Sequence, residues 1–128
     1  MPKGKIVVID DDSKALSVAK RLLEAAGYEV ITSESPLRMP QLVQRERPNL
    51  VLLDLEMPAL SGEHVLDFTT LFDFLREVPI VIHSAKDEES LKSLVERSPA
   101  VGYIRKTNNG LTFVAQVERF IAESQRSV

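Results

Sequence analysis

The chain has 128 residues, 44% hydrophobic and 27% charged, with a formal net charge of −3; this is the balance of one ordinary globular domain and excludes a disordered chain. The absence of cysteine excludes a disulfide scaffold, a thiolate zinc site, an iron–sulfur cluster and a cysteine nucleophile. Sixteen basic residues against nineteen acidic ones leave no positive excess with which to grip nucleic acid, no apolar run approaches a membrane span, and the first apolar run stops at Asp10, too early for a signal peptide.

In chain order, residues 6–9 form a short β-branched run, whose continuity predicts a strand buried on both faces. Ser13 is placed as the N-cap of a helix with the stripe Leu16, Ala19, Leu22, Leu23 and Ala26, and Gly27 is placed to end it. Residues 28–32 read as a weaker strand. Pro36 and Pro40 interrupt the next segment, so only a short helix is expected over 40–47, stopped by Pro48. Residues 50–53 are a second buried strand, followed by a helix over 62–76. A strand over 79–82 leads to a helix over 87–97, with Leu91, Leu94 and Val95 inward and three acids at its start to favour the helix dipole. A strand over 101–104 precedes the last helix, which follows Asn109-Gly110 and carries Phe113, Val114, Val117, Phe120 and Ile121 as its apolar stripe. The polar end from Glu123 reads as a frayed tail or the start of a linker. Five strands alternating with five helices predict a single α/β domain, a doubly wound parallel sheet with helices on both faces and right-handed crossovers. Its core spans about 5–123, with a polar tail at 124–128.

In such sheets ligands bind beyond the carboxyl ends of the strands. Those ends here carry Asp10, Asp11 and Asp12; Asp54; His83, Ser84 and Ala85; and Arg105 and Lys106. Two carboxylates 4 Å apart repel by about 4 kcal/mol at an effective dielectric near 20. Asp10, Asp11 and Asp54 together carry three negative charges; Lys106 removes one, and a divalent cation would balance the rest. Oxygen ligands with open positions suit Mg²⁺ better than Ca²⁺ and leave room for a phosphate. Asp12 is read as a solvent-facing residue before the cap. His83 is read as a packing histidine and His64 as exposed.

Taken together, Ile-Val-Val-Ile-Asp10-Asp11, Leu-Val-Leu-Leu-Asp54-Leu-Glu-Met-Pro58, Gly62, Val-Ile-His-Ser84-Ala85 and Gly-Tyr103-Ile-Arg-Lys106 resemble the receiver domain of two-component response regulators, over about residues 5–123. The resemblance implies a flavodoxin-like doubly wound sheet in the order 2-1-3-4-5 with five helices. It implies that Asp54 is the phosphoacceptor and that Mg²⁺ is held by Asp10, Asp11, Asp54 and the backbone carbonyl of Glu56. Ser84 and Lys106 would bind the phosphoryl group, Tyr103 would be the aromatic switch, and Glu56 and Lys86 would tune access of water. The implied donor is a phosphohistidine on a sensor histidine kinase or a His-phosphotransfer protein. The output would pass through the face of the fourth helix, fifth strand and fifth helix to a downstream effector protein or a covalently linked output domain. A homodimer through that face fits the same pattern. The protein is expected to be a cytoplasmic regulatory domain that catalyses its own phosphorylation and dephosphorylation, with no direct nucleic-acid contact and no membrane insertion. Thr107 stands where the family usually has proline, so a trans peptide is expected after Lys106. Two other readings compete: a small Mg²⁺-dependent aspartyl-phosphate phosphohydrolase, with Glu56 in the place of its second acid, and a non-phosphorylated interaction module. The first needs a substrate cap for which the chain has no room, and the second leaves the five site residues unexplained.

Overall fold

The computed structural model describes residues 2–54 and 77–126. Five strands, β1 (Lys5–Ile9), β2 (Glu29–Ser33), β3 (Leu50–Leu53), β4 (Ile80–Ser84) and β5 (Gly102–Arg105), form one parallel sheet in the order β2-β1-β3-β4-β5. The helices are α1 (Ser13–Ala25), α2 (Met39–Glu46), α3 (Glu88–Glu96) and α4 (Gly110–Arg126), and a 3-10 turn (Pro36–Arg38) leads into α2. This is the flavodoxin-like doubly wound fold. The fifth expected helix, over 62–76, lies outside the described residues. No helix among the described residues is long and apolar enough to cross a membrane.

The continuous apolar runs are explained by two cores, one on each face of the sheet. Ile6, Val8, Leu50, Leu52, Val81 and Ile104 pack with Leu16, Ala19 and Leu23 of α1 and Phe113, Val117 and Ile121 of α4. Val7, Ile9, Val51, Leu53, Ile80 and Ile82 pack with Met39, Leu42 and Val43 of α2 and Leu91 and Leu94 of α3. Successive side chains of a strand point to opposite faces, so a strand covered on both sides must be apolar at every position. All four residues of β3 are buried, whereas the edge strands β2 and β5 are only partly so.

Three local features differ from the sequence expectation. The N-cap of α1 is Asp12, whose side chain accepts from the Lys14 N–H, and Ser13 is the first helical residue. Both residue types cap equally well, and the short connection from β1 decides between them. The turn at Pro36–Arg38 starts the second helix at Met39 and puts Pro40 in its first turn, where the missing N–H has no intrahelical partner to lose. At the other end α4 continues to Arg126. Arg119 pairs with Glu123 one turn on at 3.2 Å, and Ser124 Oγ donates to the Ile121 carbonyl at 2.8 Å, so the polar segment extends the helix rather than fraying from Glu123. Gly27 follows α1 with φ +103°, a left-handed conformation that suits glycine after a helix end.

Candidate functional site

The sheet register brings the acids together. Ile9 is paired with Leu53, so the residues after them, Asp10 and Asp54, leave adjacent strands side by side. The Asp54 N–H donates to the Ile9 carbonyl at 2.9 Å and the Asp10 N–H to the Ser33 carbonyl at 3.1 Å, which extends the ladder by one residue on each. Two strands across, Ser84 is paired with Arg105, and the Lys106 N–H donates to the Ser84 carbonyl at 2.7 Å. The Lys106 side chain turns back over the sheet edge. Its Nζ donates to Asp10 Oδ2 at 2.8 Å and to Asp54 Oδ2 at 3.2 Å.

Asp10 and Asp54 are buried, at 2% and 3% exposed, and Asp11 is open to solvent. One carboxylate oxygen from each of Asp10, Asp11 and Asp54 lies within 4.8 Å of the others. Asp10 is gripped at both oxygens, because its Oδ1 accepts from the Asp12 N–H at 3.0 Å. Burial alone would lower the Lys106 amine; the hydrogen bond to Asp10 and the charges of Asp54 and Asp10 outweigh it and hold the amine above the ordinary lysine value. Lys106 is therefore cationic throughout the neutral range. Three carboxylates and one ammonium leave two negative charges in a largely water-excluded nest. That donor set fits a hard divalent cation with oxygen ligands, and Asp11 is the carboxylate open to such an ion.

Ser84 is fully buried, and its Oγ accepts from the Lys86 N–H at 3.2 Å, so the backbone positions the hydroxyl at the end of β4. Lys86 itself is exposed. Tyr103 is half-buried and packs against the core under α2 and α3. The backbone carbonyl expected from Glu56, its tuning role and its meeting with Lys86 lie outside the described residues, as does His64.

His83 is a partly buried packing histidine at the end of β4. Its ring stacks on Phe113 with centroids 5.0 Å apart and planes at 29°. Burial, reinforced by the Lys106 charge and opposed by Asp10, pushes its pKa down to about 4, so the imidazole is neutral at neutral pH. The loop after Lys106 needs no proline. Every peptide among the described residues is trans, the Asn109 N–H donates to Thr107 Oγ1 at 3.3 Å, and Asn109 Oδ1 caps α4 by accepting from the Thr112 N–H at 3.1 Å.

The structure thus puts Lys106 in direct contact with Asp10 and Asp54, brings an Asp11 carboxylate oxygen within 4.8 Å of those acids, and sets Ser84 at the neighbouring strand end. What sequence reasoning missed is Asp12. The available signal was its position two residues after Asp10, the spacing at which an aspartate side chain accepts a backbone N–H.

Residues 6–118 match the family model described as the response regulator receiver domain. The chain is similar to the polar-differentiation response regulator DivK of Brucella anthropi, 25% identical over 97% of this chain and 100% of the relative. Among solved structures, the chemotaxis response regulator CheY4 of Vibrio cholerae superposes with a TM-score of 0.80 at 22% identity, covering 90% of this chain and 96% of that one. NtrX of Brucella abortus superposes with a TM-score of 0.85 at 24% identity, over 97% of this chain and 28% of that one. With the sheet order, the acid nest and the match over residues 6–118, the chain belongs to the response regulator receiver domain family, the phosphoacceptor signalling switches of two-component systems.

Proposed function

We propose that Asp54 is the phosphoacceptor of this receiver domain. The observation that carries the reading is the double hydrogen bond of Lys106 to Asp54 and Asp10, with the Asp11 carboxylate within 4.8 Å of both acids. A buried carboxylate held next to an ammonium is positioned as a nucleophile. An Asp54 oxygen attacks phosphorus in line, the bond from phosphorus to the imidazole nitrogen of a phosphohistidine breaks, and the electron pair leaves with that nitrogen.

Asp10, Asp11, Asp54 and the Glu56 carbonyl would hold Mg²⁺, which when bound supplies neutralisation of the phosphoryl oxygens. Lys106 keeps its contact with the acceptor and meets a phosphoryl oxygen as charge develops there. Ser84 donates its hydroxyl to another. The same site then admits water, which attacks phosphorus; the bond from phosphorus to the Asp54 oxygen breaks, inorganic phosphate leaves and the carboxylate returns, a step tuned by Glu56 and Lys86. Phosphoryl bonds from Ser84 and Lys106 favour one of two conformations, and the Tyr103 ring reports the change on the face of α3, β5 and α4.

The donor is a sensor histidine kinase or a His-phosphotransfer protein, and the reader is a downstream effector protein or a covalently linked output domain, in the cytoplasm. A groove of about 720 Å³ between α1 and the start of α4 reaches Lys106. The α3–β5–α4 face also suits a homodimer. The test is phosphorylation by acetyl phosphate followed by intact mass. The wild-type chain gains one phosphoryl group only when Mg²⁺ is present, and Asp54→Asn gains none. Uptake that ignores Mg²⁺ or survives in Asp54→Asn overturns the reading.

A further inference from the structure

The connection between β1 and α1 consists of Asp10, Asp11 and Asp12 alone, and it is held by two chained hydrogen bonds. Asp10 Oδ1 accepts from the Asp12 N–H at 3.0 Å, and Asp12 Oδ1 accepts from the Lys14 N–H at 3.0 Å. The other Asp10 oxygen is bound by Lys106 at 2.8 Å. The two tied residues thus flank Asp11, whose carboxylate accepts no protein hydrogen bond among the described residues. We propose that Asp12 is a positioning residue of the acid nest: by capping α1 it aims its own N–H at Asp10 and so sets the orientation in which Asp10 and Asp11 meet a divalent cation. The inference rests on the reading that the nest holds Mg²⁺.

The physical reason lies in the next residue. Ser13 is as good an N-cap as aspartate. Asp12 stands at the helix start with φ −89° and ψ 109°, extended values outside the helix, while its N–H donates to Asp10 Oδ1. Without the Asp12 carboxylate, Ser13 can take the cap and start the helix one residue later. The residue 12 amide then leaves Asp10 Oδ1, that carboxylate turns about its remaining bond to Lys106, and Asp11 moves with the backbone on either side of it. Asp12 acts through this geometry and not through its charge, since its side chain is exposed and its field is screened by solvent.

Serine at position 12 separates the two causes, because it caps but carries no charge. Mg²⁺ affinity is measured by calorimetry on the full chain, with the residue 12 amide followed by proton–nitrogen NMR and hydrogen exchange. Asp12→Ala weakens Mg²⁺ binding about tenfold, the scale of losing a partner that orients a ligand, and its residue 12 amide loses protection. Asp12→Ser stays within about twofold of wild type with a protected amide, because the cap is kept. Asp12→Ala binding as tightly as wild type overturns the proposal, and so does Asp12→Ser binding as weakly as Asp12→Ala, which would make charge the cause. Should Asp12→Ala fail to fold, Asp12→Leu, which also cannot cap, takes its place in the comparison, and weak binding by Asp12→Ser still overturns the proposal. A wild-type chain that binds no Mg²⁺ overturns this inference and the Mg²⁺ site together, whereas a defect that separates the variants from a binding wild type bears on Asp12 only.

Discussion

Two lysines, one at each end of the sheet, sit between pairs of carboxylates and differ in everything but their own exposure. At the amino end, Lys5 lies 3.2 Å from Glu46 and 3.8 Å from Glu29, and Arg45 adds a second cation 2.8 Å from Glu46. At the carboxyl end, Lys106 binds Asp10 and Asp54 at similar distances. The lysine side chains are 28% and 26% exposed, but the carboxylate side chains of Glu29 and Glu46 are 53% and 21% exposed whereas those of Asp10 and Asp54 are 3% and 4%. The first cluster is charge-balanced and wetted by solvent. The second retains two negative charges once Asp11 is counted, with two of its three carboxylates out of water. Ion pairing at the amino end is therefore an incidental surface contact, whereas at the carboxyl end it holds together a charge excess, the one that the proposed function uses to receive a cation and a phosphoryl group.

The sharpest way to break this comparison is to remove each ammonium. Lys106→Met leaves buried carboxylates uncompensated and costs about 4 kcal/mol of stability by urea unfolding at neutral pH, in the range for breaking a buried pair. A midpoint close to wild type would show that the buried carboxylates do not depend on the ammonium. The next effect is acid sensitivity beside the same lysine. The His83 pKa of about 4 in the folded chain lies below the value of 6.5 for a free histidine. Between those values the unfolded chain binds a proton that the folded chain does not, so stability falls as pH is lowered through that window, by at most about 3 kcal/mol. His83→Leu flattens the fall between pH 6.5 and 4, and a pH profile parallel to wild type would remove His83 from the account.

Mg²⁺ provides a third contrast. A hundredfold excess over Kd stabilises a binding protein by about 2.7 kcal/mol. The wild-type melting temperature rises accordingly. Asp11→Ala loses that rise with little change in the metal-free melt, because Asp11 is exposed; a rise that persists in Asp11→Ala would place the ion elsewhere. The smallest effect closes the series. Lys5→Met leaves the urea midpoint nearly where it was, with no Mg²⁺-dependent difference from wild type. A loss matching that of Lys106→Met would show the two clusters to be alike after all.

The fold was legible because a sheet covered on both faces leaves no freedom in composition. Ile6 to Ile9 and Leu50 to Leu53 can be apolar throughout only if each successive side chain meets a helix on its own side, which is what the two cores show. The strand ends were legible for the same reason, since each apolar run stops where its first polar residue reaches the edge. The meeting of Lys106 with Asp54 followed from the resemblance, but the bond of Lys106 to Asp10 and the distances within the nest were not legible. They depend on the register that pairs Ile9 with Leu53 and on the turn-back of the Lys106 side chain, both set by the whole sheet. The helix cap was not legible either, because Asp12 and Ser13 have equal local merit and only the length of the connection from β1 chooses between them. The stack of His83 on Phe113 depends on where α4 crosses the sheet, which no residue spacing within β4 encodes.

The central claim is that the carboxylate at position 54 becomes the acyl phosphate, and borohydride trapping tests it most directly. The chain is incubated with acetyl phosphate and Mg²⁺ and reduced, which converts an acyl phosphate carbon to an alcohol, and the peptide spanning β3 is sequenced by mass spectrometry. The account predicts reduction at Asp54 alone, absent when Mg²⁺ is withheld. Reduction at Asp10 or Asp11, or an unmodified Asp54 in a chain that has taken up the phosphoryl group, would contradict it.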